Sequence, residues 1–195
     1  MPRKKSVKKS ATDFKSGADA IAAFIQATQN LSQEQVSWAH EYAILRLYRE
    51  FEALMLDALI GAVNNDTATI ADRTGITFPK HLTDEVCEYL IIGGGYFDFK
   101  GRDGLIKTLK DYVPLTHYLL TSVKKEKYKE ALERLSALRN LAAHNSEVAK
   151  KRAKEAVNLE RMADAGSWLK KQGRLQSIID RLKELSDELH GLAPY

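Results

Sequence analysis

The chain has a single cysteine, Cys87, among its 195 residues. That excludes an internal disulfide framework and a cysteine-built zinc site, and it fits a reducing compartment. No apolar run approaches the roughly 18 residues of a membrane-spanning helix. The opening MPRKKSVKKS also lacks the apolar stretch that a secretory signal carries behind its charges. The expectation is a cytoplasmic protein with no membrane partner. The five histidines, His40, His81, His117, His144 and His190, are dispersed, with no His-x-x-x-His or Glu-x-x-His pair. A metal site is therefore not expected and no cofactor is implied. The G-x-S-x-G elbow of serine hydrolases is missing, and so is any internal repeat.

What remains is a chain that is 44% hydrophobic, long enough for one well-packed core and too short for two. Its 30 Lys and Arg exceed its 26 Asp and Glu, giving a net charge of +4. That balance suits a polyanionic partner.

Residues 1–15 read as a disordered basic arm. Arg3, Lys4, Lys5, Lys8 and Lys9 crowd its first ten positions with almost nothing to bury, as fits a solubilising tail or a phosphate-contacting arm. Residues 16–195 read as a single all-α domain. A short helix is expected from Ala18 to Gln29, starting near Ser16-Gly17-Ala18-Asp19. The Ser32-Gln33-Glu34-Gln35 capping box then opens a long one to about Val63. Its apolar stripe would hold Trp38, Ala39, Tyr42, Leu45, Phe51, Leu54, Met55, Ala58 and Leu59.

Short helices are expected after Thr83 and over Asp103 to Val113. Between them the glycine-rich IIGGGYFDFKGRDG reads as a turn or short hairpin. A second long helix, Val123 to about His144, would bury Tyr128, Leu132, Leu135, Leu138 and Leu141. Two more follow, Glu147 to about Ala163 and Trp168 to about His190, the latter bent at Gly173. The sum is a helical bundle with one irregular insertion.

One knot of polar chemistry stands out in the second long helix: RNLAAHN, Arg139 to Asn145. Asn140 and His144 are four apart and share a face, whereas Arg139 and His144 stand about 140° apart on an ideal helix. An imidazole titrates near neutral pH, so His144 suits proton transfer to and from ribose and phosphate oxygens. The Arg139 guanidinium matches phosphate oxygens, and the Asn140 amide can hold either the imidazole or the phosphate. This set suits RNA cleavage through a 2′,3′-cyclic phosphate. In-line transesterification needs both a base and an acid, and one knot supplies a single histidine. Two knots facing across a twofold axis supply both, so the chemistry argues for a homodimer. Lys150, Lys151, Arg152 and Lys154 follow within three turns, while Lys124, Lys125 and Lys127 open the same helix. These are solvated faces or, beside a phosphate-handling site, guides for RNA.

The run Leu138-Arg139-Asn140-Leu141-Ala142-Ala143-His144-Asn145, late in a helical domain of this size, resembles the HEPN superfamily. Its signature is an Arg, commonly followed by Asn, Asp or His, then four to six residues before an invariant His. The long early helix with Arg46, Arg49, Phe51 and Glu52, and the segment Tyr96-Phe97-Asp98-Phe99, look most like its RiboL-PSP branch. The resemblance implies a HEPN-like bundle that dimerises into a metal-independent endoribonuclease, a toxin or phage-defence effector with a possible antitoxin or regulatory partner. By position it makes Arg139 and His144 the catalytic pair and Asn140 their polar neighbour. A tyrosine that some members carry two residues after the His is Ser146 here. A non-catalytic module that grips a nucleotide, RNA or a protein, and a purely structural adaptor, are the alternatives. Whether His40, Arg46 or Arg49 line the groove is left open by the sequence.

Overall fold

A computed structural model describes residues 4–79 and 81–194. Among these residues it is all-helical, 74% helix with no strand. Ten helices follow in order: α1 (Val7–Ala27), α2 (Gln33–Asn65), α3 (Ala68–Thr74), α4 (Asp84–Ile92), α5 (Gly101–Lys110), α6 (Tyr118–Val123), α7 (Glu126–His144), α8 (Glu147–Val157), α9 (Ala165–Leu169) and α10 (Arg174–Leu192). None is long and apolar enough to cross a membrane. The central pair is α2 and α7. Against it pack α1, α4 and α9 on the α2 side, and α5, α8 and α10 on the α7 side.

The expected basic arm is instead largely helix. Ser6 caps α1 by accepting from the Lys9 amide, and Val7, Ala11, Phe14, Ala18 and Ile21 are buried. Their spacing of four, three, four and three residues lays one apolar stripe on α2. Of the lysines that suggested disorder, Lys5 pairs with Asp57 at 2.7 Å and Lys9 with Asp13, and the later Lys15 pairs with Asp187 at 2.6 Å. A helix interrupted by charges every second or third residue looked unburied because the charges and the stripe occupy different faces. The helix runs straight through Ser16-Gly17, so no cap forms there. Met1 to Arg3 lie outside the described residues.

The long helix α2 opens on the expected capping box, with Ser32 accepting from the Gln35 amide and Gln35 accepting from the Ser32 amide. Its first turns rotate away from the expected stripe, since Trp38 and Tyr42 are each 57% exposed. Ala43, Ile44, Leu47 and Tyr48 are buried instead, while Phe51, Leu54, Met55, Ala58 and Leu59 are buried as expected. The helix α7 buries Tyr128, Leu132, Leu135, Leu138 and Leu141, the five positions its spacing predicts. The penultimate expected helix stops early, at Asn158 in the left-handed region. The last is broken into α9 and α10 by a turn ending at Gly173, φ +75°.

The glycine-rich insertion makes no hairpin. Gly93 ends α4 in the left-handed conformation, and the chain then runs irregularly to α5. Phe99 is what anchors it: fully buried, it stacks on Tyr48 at 4.7 Å between centroids and meets Phe51 edge-on at 5.4 Å. Losing such a ring costs about 3–5 kcal/mol. The turn into α5 is closed tightly, since a Cβ on Gly104 would lie 2.1 Å from the Phe99 carbonyl oxygen. This clamp seats the neighbouring Asp98 beside α2 and α7.

Candidate functional site

The C-terminal half of α7 presents the polar knot. Burial of Leu138 and Leu141 fixes the rotation of the helix, which leaves Arg139 and Asn140 half-buried at its edge facing α2. The Arg139 guanidinium lies over the Tyr48 ring, 4.3 Å from its centre, and donates to the Asn140 side-chain oxygen at 2.7 Å. Cation–π contact of this kind contributes about 0.5–2 kcal/mol and, more to the point, holds the fork in one orientation. Tyr48 in turn donates its hydroxyl to Asp98 at 2.7 Å, and the Lys100 amide donates to the same oxygen at 3.2 Å.

One turn beyond Tyr48 on α2 stands Glu52, half-buried. Burial raises its carboxyl to about 7, with the Arg139 charge opposing and that of Asp98 reinforcing the rise. Burial and the bond to Asp98 likewise push the Tyr48 hydroxyl well above its ordinary range. Arg139 forms no ion pair among the described residues, despite two carboxylates in its surroundings. Its charge therefore acts on an acid held well above the usual carboxylate range.

His144 is the last residue of α7, exposed and without a hydrogen bond among the described residues. Asn145 follows at φ +41° and returns its amide to the Leu141 carbonyl at 2.9 Å. Ser146 then caps α8 by accepting from the Ala149 amide. Arg139 and Asn140 are thus joined within one chain, while His144 is exposed and has no hydrogen-bond partner among the described residues.

Asn140 also borders a cavity of about 720 Å³ between α5, α7 and α8, with Asp98, Lys100, Glu133 and Arg152 among its walls. Of the four basic residues expected beyond the knot, Arg152 alone reaches this cavity. Lys151 and Lys154 line a separate surface hollow with Asn158 and Glu160, and Lys150 is half-buried in neither. Of the three lysines at the other end of α7, Lys125 pairs with Glu188 and Lys127 with Glu184, both acids of α10, while Lys124 is exposed. Arg46 pairs with Glu50 one turn away, and Arg49 is exposed. His40 lines a different cavity, between α1, α2 and the start of α10. Among the described residues no group of three or more His, Cys, Asp or Glu side chains is placed to hold a metal ion.

Tyr48 was not legible as a site residue, and Glu52 and Asp98 stood out only within segments that carry the resemblance, with no role attached; deciding which face of α2 meets α7 requires the packing. Compared with family models, curated proteins and solved structures, the chain shows no match.

Proposed function

We propose that the protein is a metal-independent endoribonuclease of the HEPN type, working as a homodimer. The observation that carries this reading is the state of Arg139: oriented by Tyr48 and Asn140, unpaired, and set within a few residues of a free, exposed imidazole. A cation kept in place without a carboxylate bound to it is suited to a transient anion such as a five-coordinate phosphorane. In the proposed reaction His144 takes the proton of a ribose 2′-hydroxyl. The oxygen attacks the adjacent phosphorus, and the 5′-oxygen leaves with a proton from His144 of the partner subunit. The products are a 2′,3′-cyclic phosphate and a 5′-hydroxyl. Trp38 and Tyr42, both mostly exposed on α2, supply an apolar face that a second copy would cover.

A second reading is a module that binds RNA or nucleotide without cutting: Arg139 and Asn140 are joined to each other at 2.7 Å, while His144 makes no bond to either among the described residues. Incubating purified wild type, Arg139→Ala and His144→Ala with a mixed RNA pool in EDTA separates the two. The nuclease reading expects cleavage by wild type only, with all three proteins equally folded. RNA retention without cleavage supports the binding module. Cleavage that EDTA abolishes, or that His144→Ala retains, rules out the proposed chemistry. A toxin or defence role, with an antitoxin or other regulator, is part of the same proposal and is tested by whether expression of wild type, but not of His144→Ala, arrests a host.

A further inference from the structure

The cavity that contains His40 lies elsewhere. Along α2, His40 is twelve residues from Glu52, about 18 Å at the rise of a helix. The cavity holds about 440 Å³ and is closed by α1, α2 and the turn leading into α10. Three independent features converge on it. The first is the start of α10, whose cap residue Gly173 offers no side chain. The Leu175 and Gln176 amides accordingly find no acceptor among the described residues, and a Cβ on Gly173 would meet nothing within 4 Å. Such an open helix start attracts anions through its free N–H groups and its dipole.

The second is His40 itself, only 7% exposed. Its Nδ1 sits 2.7 Å from the Val36 carbonyl oxygen, which can only accept, so Nδ1 carries the proton. Burial lowers the proton affinity of the ring below its ordinary value, with the Val36 hydrogen bond opposing and the Lys170 charge reinforcing the shift. Its Nε2 lone pair has no donor among the described residues, although the ring borders the cavity. The third is the charge of the walls. Lys170 and Lys171 both line the cavity, and no Asp or Glu does. Lys170 donates to the Gln33 carbonyl at 3.0 Å, whereas Lys171 is exposed and forms no ion pair among the described residues.

An anion receptor and a buried acceptor in one cavity call for a ligand that carries a phosphate and a hydrogen-bond donor. The side-chain amides of Gln29, Gln33 and Gln172 can read the edges of a base, and Ile25 and Ile179 offer it an apolar wall. The volume suits a ligand of that size. We propose that this cavity binds a nucleoside monophosphate, its phosphate at the start of α10 beside Lys171 and a sugar or base donor on His40 Nε2. The site is independent of Arg139, Asn140 and His144.

The test is calorimetric titration of the full chain with AMP, GMP, CMP and UMP, with inorganic phosphate and adenosine as separate probes. At least one monophosphate is expected to bind with a Kd below about 1 mM, and phosphate and adenosine each at least about tenfold more weakly, because each fills only half of the site. Lys171→Glu, a surface change, should weaken binding by about tenfold or more, and Arg139→Ala should leave it unchanged. The His40 ring signals should shift in NMR spectra on addition of the monophosphate. The proposal is overturned if none of the four binds, if phosphate alone binds as tightly as the nucleotide, or if the His40 signals stay still. It is equally overturned if Arg139→Ala removes binding that Lys171→Glu spares, which would assign the nucleotide to the α7 knot.

Discussion

The two ends of α7 carry the same three kinds of group and treat them in opposite ways. At the start, Tyr128 donates its hydroxyl to Glu188 at 3.0 Å, Lys127 stands over the Tyr128 ring, and Lys125 pairs with Glu188 at 2.9 Å. Burial works to raise the Glu188 carboxyl, but its hydrogen bonds and the lysine charge outweigh it and bring the group down to about 2. At the end, Arg139 stands over the Tyr48 ring, Tyr48 bonds to Asp98, and Glu52 is left without an ion pair and raised to about 7. The first arrangement is satisfied and ties α7 to α10. The second holds a cation and an acid side by side without joining them, an arrangement more often found where a ligand completes the set than where the fold needs support.

This contrast can be broken in four ways. The largest effect is expected on cleavage: Arg139→Ala should lower it by about 10²–10³-fold or more, and His144→Ala by about 10²–10⁴-fold. Because His144 is exposed and makes no hydrogen bond among the described residues, its loss should shift stability by less than about 0.5 kcal/mol in a denaturant titration. At the other end the effect should be reversed. Glu188→Gln should cost about 1–2 kcal/mol of stability and leave cleavage as it was.

The acid limbs of the two ends should also separate. Glu188 is held below its ordinary value, so its contribution is present above about pH 4.5 and is lost as pH falls toward 2. Glu52 is held above its ordinary value, so the folded state binds the extra proton. Its stability is therefore greatest below about pH 4.5 and declines as pH rises through 7. Unfolding curves from pH 4 to 8 should show that decline in wild type, and Glu52→Gln should flatten it. In the cleavage assay, ionised Glu52 competes with phosphate for Arg139. Wild type is thus expected to lose RNA affinity between pH 6 and 8, and Glu52→Gln should weaken that loss.

The smallest effect concerns assembly. Replacing Trp38 and Tyr42 with serine should shift sedimentation toward the monomer while helix content stays constant, because both rings are mostly outside the core.

The parts of the fold set by local periodicity were readable in advance. The buried stripe of α7 and the capping box of α2 follow from spacing and from side-chain hydrogen bonding within four residues. What escaped depends on which faces meet. The α1 stripe was hidden among lysines whose partners, Asp57 and Asp187, lie on other helices. Tyr42 and Trp38 look like core by composition and are turned outward by the packing of Ala43 and Ile44. Phe97-Asp98-Phe99 alternates like a strand, yet has no neighbouring strand to pair with, and Phe99 is drawn into the aromatic cluster instead. In the site, Arg139, Asn140 and His144 were visible as a spacing. Tyr48, Glu52 and Asp98 come from segments some 40 to 90 residues earlier and join it only through packing.

The most direct test is the chemistry of the RNA ends. Purified protein would be incubated with a defined oligoribonucleotide in EDTA, and the fragments resolved by mass. Upstream fragments should end in a 2′,3′-cyclic phosphate and downstream fragments begin with a 5′-hydroxyl, both missing when His144→Ala replaces wild type. Fragments ending in a 3′-hydroxyl, or unchanged cyclic-phosphate ends from His144→Ala, would contradict the proposed chemistry.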